Sequence, residues 1–252
     1  MSGIPVQAGI IYGQSLSRRL GRSLGINLLG VNCKVCTFDC IYCQYGSAMV
    51  FDRANIGPGL PSVENVLQHV ERAMKKPRTI DYLTFSGNGE PTLHPDFNEI
   101  VRGVLSLRNK IRPEAKLAIL SNSSRVNEPD ILSSLQLFDA PMMKLDAGDE
   151  KTFQAINRPA QSIRFSDIIA GLKCLPQLMI QSLMLDGRIS NVRGEACETW
   201  VSLLGDLKPK EIHIYSTARP TAFEGVEVVE QKKLHEIAED LRKRYHLNVS
   251  SF

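Results

Sequence analysis

The chain has 252 residues, 43% of them hydrophobic and 23% charged, with a formal net charge of +3. That length and balance suit one globular domain, 1–252, with enough chain to bury a sizeable core, and they exclude a disordered or low-complexity protein. No apolar run nears the roughly 18 residues of a membrane span, and Met1–Gln14 lacks the charged start and apolar centre of a signal peptide, so a cytoplasmic protein without a membrane partner is expected.

In chain order, residues 1–23 read as a weakly structured lead-in. Its end, Ser17-Arg18-Arg19-Leu20-Gly21-Arg22-Ser23-Leu24-Gly25, sets three arginines beside small residues; this is a solvated turn or, since guanidinium matches phosphate and carboxylate geometry, an anion site. Leu24–Leu29 is a short apolar run between glycines and predicts a buried strand. Val63, Val66, Leu67, Val70 and Met74 recur at helical spacing behind Ser62, a candidate cap. Strands are then predicted over Ile80–Phe85, Lys116–Leu120, Met142–Leu145, Leu178–Leu185 and Glu211–Tyr215. Between them lie helices carrying Phe97 to Leu105, Ile131 to Leu135, a segment from about Glu150, one opened by Ser166, and one around Trp200. Leu234, Ile237, Ala238, Leu241 and Tyr245 give a last amphipathic helix in a C-terminal part, 217–252. Six alternating strand–helix units over 24–216 imply a parallel α/β sheet with outer helices; right-handed crossovers curve it into a partial (β/α)6 barrel.

In such folds ligands gather beyond the carboxyl ends of the strands. The first predicted strand runs into Cys33-Lys-Val-Cys36-Thr-Phe-Asp-Cys40-Ile-Tyr-Cys43, which holds four of the six cysteines. Thiolates this close repel one another unless a metal neutralises them, and a reducing compartment keeps them from pairing as disulfides. A structural zinc site would separate two Cys-x2-Cys pairs by roughly 12–20 residues, whereas only Thr37, Phe38 and Asp39 intervene here. The ferredoxin order and its proline are absent too. What remains is Cys36-x3-Cys40-x2-Cys43. Cys174 and Cys197 are isolated and read as plain buried thiols.

The other strand ends are polar. Ser86-Gly87-Asn88-Gly89-Glu90-Pro91 follows the second strand; its glycines let the backbone approach a ligand and Glu90 supplies an anion. Ser121 and Asn122 end the third strand, Lys144 and Asp146 the fourth. Gln181 and Ser182 lie inside an apolar strand, where burial demands partners, so a site-facing role is expected of them. Tyr215, Arg219 and Pro220 follow the sixth strand and are candidate substrate contacts. His94 and His213 have no companions at ligand or base spacing and read as structural.

The cysteine spacing and the glycine-rich acidic turn together resemble the radical S-adenosylmethionine (SAM) superfamily. The resemblance implies one 4Fe-4S cluster on Cys36, Cys40 and Cys43, with the fourth iron open to the amino and carboxylate groups of SAM. An electron from an external flavodoxin- or ferredoxin-type donor would then cleave SAM reductively, yielding a 5′-deoxyadenosyl radical. By the same likeness Tyr42 lies beside the adenine, the Ser86–Glu90 turn meets the SAM ammonium, and Ser121, Asn122, Lys144 and Asp146 match ribose and carboxylate contacts. The Ser17–Gly25 phrase, the cysteine run, the glycine-rich turn and Lys144-Leu145-Asp146-Ala147-Gly148 resemble the subgroup related to the tRNA wyosine-synthesis enzyme. That enzyme's further N-terminal cysteines and flavin-binding domain have no counterpart here beyond Cys33. The resemblance therefore implies a radical SAM oxidoreductase or transferase acting on a macromolecule, with tRNA favoured by Arg18, Arg19, Arg22, Lys208 and Lys210 if these share a face. A partner protein, as for glycyl-radical activating enzymes, is the alternative, and a non-catalytic zinc or iron–sulfur module the remote one.

Overall fold

The computed structural model describes residues 4–46, 59–218, 221 and 223–252. The expected alternation is present. Strands β2 (Gly21–Ile26), β3 (Tyr82–Phe85), β4 (Lys116–Ser121), β5 (Ala140–Lys144), β6 (Met179–Leu183) and β8 (Glu211–Tyr215) pair in parallel, each with the next of these. The helices between and after them are α1 (Val63–Met74), α2 (Phe97–Ile111), α3 (Pro129–Leu135), α4 (Glu150–Asn157), α5 (Phe165–Lys173), α6 (Gly194–Leu207) and α7 (Gln231–Tyr245). Alternation decides the faces. Leu24 and Ile26 of β2, Leu83 and Phe85 of β3, and Ile212 and Ile214 of β8 are fully buried in one core shared with Val66, Val70 and Ile100 of the outer helices. Each such side chain contributes about 1.5–3 kcal/mol by leaving water. Ser62 caps α1 as expected, its side chain accepting the Asn65 N–H at 3.2 Å.

Most strand ends shift by one or two residues from the expectations, and larger differences occur at three places. The lead-in contains a strand, β1 (Ile11–Ser17), paired antiparallel with β2, which itself begins at Gly21 rather than Leu24. The C-terminal part contains β10 (Val249–Ser251), parallel to β8, so the sheet has eight strands in the order β1-β2-β3-β4-β5-β6-β8-β10. The fifth predicted strand is split. Its ladder stops at Leu183, whose N–H is taken by the Asp146 carboxylate at 2.8 Å, and β7 (Leu185–Gly187) turns away to pair antiparallel with β9 (Val226–Val228). Helix α5 also starts one residue before Ser166.

The sheet is curled. Arg19, in the β1–β2 turn, donates from Nη1 to Gln181 Oε1 on β6 at 2.9 Å. In a flat sheet β2 and β6 would lie about 19 Å apart at ~4.8 Å per strand, well beyond an arginine's reach. Leu20 from the same turn packs with Ala118, Ala140, Met142 and Met179 at the starts of β4, β5 and β6 and plugs that end of the partial barrel. The opposite end, where the parallel strands finish, is where the polar turns collect.

Candidate iron–sulfur and cosubstrate site

The chain from Asn27 to Gly46 leaves β2 and crosses the carboxyl end of the sheet, held on both flanks. On one side Val35 N–H donates to Asn88 O at 2.8 Å and Val35 O accepts from Glu90 N–H at 3.0 Å. On the other, Asp39 N–H and Ile41 N–H donate to Arg158 O and Ile156 O at 3.1 and 3.0 Å, while Ala160 N–H donates to Thr37 O at 2.8 Å. Phe38 anchors the middle, edge-on to Phe153 of α4 with centroids 5.4 Å apart. The loop is therefore fixed by backbone pairing to the β3 end and to the end of α4.

Cys36 and Cys40 are buried, Cys43 half-buried, and all three line one cleft of about 590 Å³. Cys33 is exposed and is not part of its wall. Asn122 Nδ2 lies 3.5 Å from Cys36 Sγ and Asn157 Nδ2 lies 3.4 Å from Cys40 Sγ. Burial pushes the Cys36 thiol up to about 12 against the pull of Lys34, and raises Cys40 too. Lys34 is buried behind the cysteines; desolvation works against its charge, but Cys43, Cys36 and Cys40 outweigh it and hold the ammonium above its ordinary range. Asp39 lies 3.8 Å from its Nζ.

The glycine-rich turn borders the same cleft through Ser86, Gly87, Gly89 and Glu90. Its glycines serve the chain itself: at Gly89, with φ +140°, a Cβ would fall 1.7 Å from Val35 O, and at Gly87, with φ +120°, 2.7 Å from Asn27 Oδ1. Asn88 is turned out of the cleft. Its amide donates to Gln7 O and Gly30 O, both at 2.9 Å, and accepts from Gln7 N–H, so it ties the N-terminal segment to the loop instead of facing a ligand. Glu90 is 1% exposed and its carboxylate already accepts from Thr92 N–H, Thr92 Oγ1, Ser121 Oγ and Asn122 N–H. Burial still raises its pKa despite these four donors.

Lys144, at the end of β5, stands between two rings, its Nζ 5.0 Å from the Tyr42 centroid and 5.3 Å from that of Tyr215, whose hydroxyl it meets at 3.1 Å. Asp146 lies beneath, out of the cleft wall. It accepts from Tyr42 Oη at 2.5 Å, Asn157 Nδ2 at 2.8 Å and Leu183 N–H, with Lys144 Nζ at 3.4 Å. Burial opposes the charge of Lys144, yet Asp146, then Tyr215 and Cys40, keep it raised. Ser182 is behind the sheet wall, donating to Leu145 O, and does not reach the cleft. Arg219 and Pro220 lie outside the described residues.

Residues 33–189 match the radical SAM superfamily. The chain belongs to that superfamily. Among curated relatives, the UPF0026 protein of Helicobacter pylori is 30% identical over 235 residues, covering 89% of this chain and 71% of that protein. The UPF0026 protein of Synechocystis is 31% identical over 83% of this chain and 76% of its own length. A Brachyspira hyodysenteriae protein named GTPase Obg is 26% identical over 95% of this chain, which spans only 34% of that relative. The fold is shared with TYW1, solved with a lysine-pyruvate adduct bound, at 14% identity and TM-score 0.60, covering 88% of this chain and 74% of that one. It is shared also with Streptococcus suis SuiB bound to precursor peptide SuiA, at 15% identity and TM-score 0.62, over 90% and 48%.

Membership in the radical SAM superfamily implies SAM and an iron–sulfur cluster, and the donors fit them. Among the described residues no three His, Cys, Asp or Glu side chains are gathered for one ion; a cubane asks for something else, since each thiolate binds a different iron. Three sulfurs around one cleft, amide N–H groups on two of them and a buried cation beside them meet that demand. The structure brings together Cys36, Cys40, Cys43, Tyr42, Ser86, Gly87, Gly89, Glu90, Ser121, Asn122 and Lys144. It leaves Asn88, Asp146 and Ser182 behind the wall. Sequence reasoning missed Lys34, which stands in the cysteine run itself; Asn157, which no local signal marks; and Tyr12, which lines the cleft, bonds Ser86 and is raised to about 12 by burial. His94 is held by Pro61 O and Asp96 N–H, and His213 by Glu211, consistent with structural roles. Cys174 is exposed, against expectation, because it caps the end of α5 instead of lying on its buried face.

The arginine segment does not form one basic face. Arg22 makes a two-point pair with Asp81 at 2.9 and 3.0 Å, while Arg18, exposed, and Arg19, half-buried, both border the cleft. Lys210 bonds Gln177 at 2.8 Å and Lys208 closes α6 in the left-handed conformation. No helix among the described residues is long and apolar enough to cross a membrane.

Proposed function

We propose that this chain, acting as one domain, is a radical SAM enzyme whose Cys36, Cys40 and Cys43 hold one 4Fe-4S cluster and whose cleft takes SAM for radical modification of a macromolecular substrate. The observation that carries the reading is that the three sulfurs and the Ser86–Glu90 turn wall the same cleft at the carboxyl ends of the strands. When bound, the cluster and SAM supply reductive cleavage of a C–S bond to a 5′-deoxyadenosyl radical, the electron coming from a flavodoxin- or ferredoxin-type donor in a reducing cytoplasm. The chain's own residues position. Backbone pairing at Val35, Asp39 and Ile41 fixes the sulfurs, Lys34 and the amides of Asn122 and Asn157 offset thiolate charge, and the Glu90 carboxylate offers an anionic edge for an ammonium. Tyr42, set by Asp146, offers a flat apolar face for a purine.

Between the two kinds of macromolecule, a protein or peptide is favoured. The tRNA reading drew on a shared basic face, and the arginines are dispersed. A fold neighbour is seen with its precursor peptide bound, so a partial barrel of this build admits a polypeptide segment. The test is anaerobic reconstitution with iron and sulfide, then reduction with SAM. Brown protein with about four irons per chain, releasing 5′-deoxyadenosine, is expected, with iron kept in Cys33→Ala and lost in Cys36→Ala. Colourless protein carrying zinc, or equal iron loss in Cys33→Ala, would overturn the assignment. Salt-sensitive binding of bulk tRNA, abolished by arginine replacement, would return the substrate to RNA.

A further inference from the structure

Beyond Lys144 the cleft continues into a part that the cluster and SAM reading does not use. Ring and cation alternate along its wall: Tyr42, then Lys144, then Tyr215, then Arg19, whose guanidinium carbon lies 4.3 Å from the Tyr215 centroid. Contact with the Tyr215 ring and the Nη1 bond to Gln181 Oε1 at 2.9 Å hold that guanidinium in place. Gln181 is itself locked, its Nε2 donating to Met142 O at 3.0 Å. A guanidinium has five N–H donors in a rigid planar fork, and one of them is spent here.

The charges of the wall decide what would complete it. Lys144 has Asp146 at 3.4 Å, Lys34 has Asp39 at 3.8 Å and the cysteines around it, and Glu90, met by four donors, is assigned to the cosubstrate's ammonium. Among the ion pairs of the described residues neither Arg19 nor its neighbour Arg18 appears; both border the cleft, but Arg18 is exposed to solvent whereas Arg19 is half-buried. Of the two, Arg19 is the one held in place by neighbours, and a half-buried, uncompensated cation calls for a negative charge. A planar carboxylate meets the free edge of the fork with both oxygens. A phosphodiester carries the same charge but brings two flanking sugars into a cleft of about 590 Å³ that must also hold the cosubstrate.

We propose that Arg19, held between Gln181 and Tyr215, is the binding residue for a carboxylate of the substrate. This rests on the protein-substrate reading above and narrows it to an acidic side chain or terminus, placed beyond Tyr215 from the cysteine loop. Arg19 is a binding residue and Gln181 a positioning one.

The experiment titrates acetate, a blocked glutamyl peptide and dimethyl phosphate at constant ionic strength, against protein with and without the reconstituted cluster and SAM. The readout is the ¹⁵N resonance of the Arg19 side chain, identified by its absence in Arg19→Lys, together with the rise in melting temperature. Expected are a saturable shift with acetate, at least ten-fold tighter binding of the glutamyl peptide, and loss of both melting responses in Arg19→Gln but not in Arg22→Gln. Saturation by acetate with no gain for the peptide keeps the carboxylate site and makes a small acid the ligand. Dimethyl phosphate binding as tightly as acetate, or no saturable shift of the Arg19 resonance in the parent, overturns the proposal, and the parent resonance decides even where Arg19→Gln does not fold. Because the titration is also read without cluster or SAM, failure of the radical SAM chemistry and failure of the carboxylate site are separately visible.

Discussion

Replacing Gly89 by alanine tests whether the cysteine loop is seated as the structure has it. Gly89 has φ +140°, a region that side-chain-bearing residues enter at a cost of about 1–3 kcal/mol. The new Cβ would also lie 1.7 Å from Val35 O and 2.4 Å from Val35 C. Those are backbone atoms, so no rotamer change relieves the overlap. The loop must move, and the bonds Val35 N–H to Asn88 O and Glu90 N–H to Val35 O, at 2.8 and 3.0 Å, are lost with it, about 1 kcal/mol each. The sum is about 3–5 kcal/mol. At ~2–4 °C per kcal/mol for a chain of this size, the melting temperature should fall by about 6–20 °C. Cys36 follows Val35 directly, so iron bound per chain should fall to less than about half of the parent value. Gly9→Ala is the control: its Cβ would meet only Ile11 O at 3.8 Å, and a change within about 0.5 kcal/mol is expected. Thermal melting and iron assay on the three proteins suffice. A Gly89→Ala protein that melts with the parent and loads full iron would refute the packing of the loop against the turn.

Three further outcomes follow from the geometry. Asp149 caps α4, accepting from Thr152 N–H at 2.8 Å, and although burial opposes it the Thr152 and Thr199 donors hold its pKa below the ordinary carboxylate value. A depressed folded pKa stabilises above the unfolded value near 3.9 and the benefit vanishes as pH falls through the folded value, so Asp149→Ala should cost about 0.5–2 kcal/mol at pH 7 and progressively less below pH ~4 in urea titrations. Trp200→Phe removes the buried Nε1 bond to Leu145 O at 2.9 Å and should cost about 1–3 kcal/mol by the same titration, with the loss confined to stability and iron content unchanged. Lys34→Met removes the buried cation beside the three thiolates and should make the reconstituted cluster harder to reduce, its potential shifting negative in an electron-paramagnetic-resonance redox titration; a positive shift would remove Lys34 from the site's electrostatics.

The barrel was legible because its signals are local. Apolar runs such as Leu83 to Phe85 alternate with helical stripes such as Val66, Val70 and Met74, and each is buried as its period requires. Strand β1 was not legible, since pairing to β2 and closure of the barrel by Leu20 are long-range gains that its own composition does not announce. Strand β10 is three residues long and exists because β8 offers it an edge. At the site, the cysteine spacing already implies that three sulfurs share one short loop, and that loop brings them to one cleft. Asn88 misled for an instructive reason. Between two glycines a short amide looks like a ligand donor, yet its partners Gln7 and Gly30 are far off in sequence, and only the fold brings them near.

Asp146 shows how a residue can belong to the site without facing it. An isolated buried carboxylate would be costly, and here four groups meet it: Tyr42 from the cysteine loop, Asn157 from the end of α4, Leu183 N–H from β6 and Lys144 from its own strand end. Asn157 also reaches Cys40 Sγ at 3.4 Å. One anion thus sets the ring of Tyr42 and the ammonium of Lys144 side by side on the wall of the same cleft, and couples both to a thiol. The apolar faces of the barrel could pack without any of this, so the arrangement is explained by the cleft and not by the fold. What reads in the sequence as a pair of candidate contacts, Lys144 and Asp146, is one residue that lines the cleft and one that holds it there.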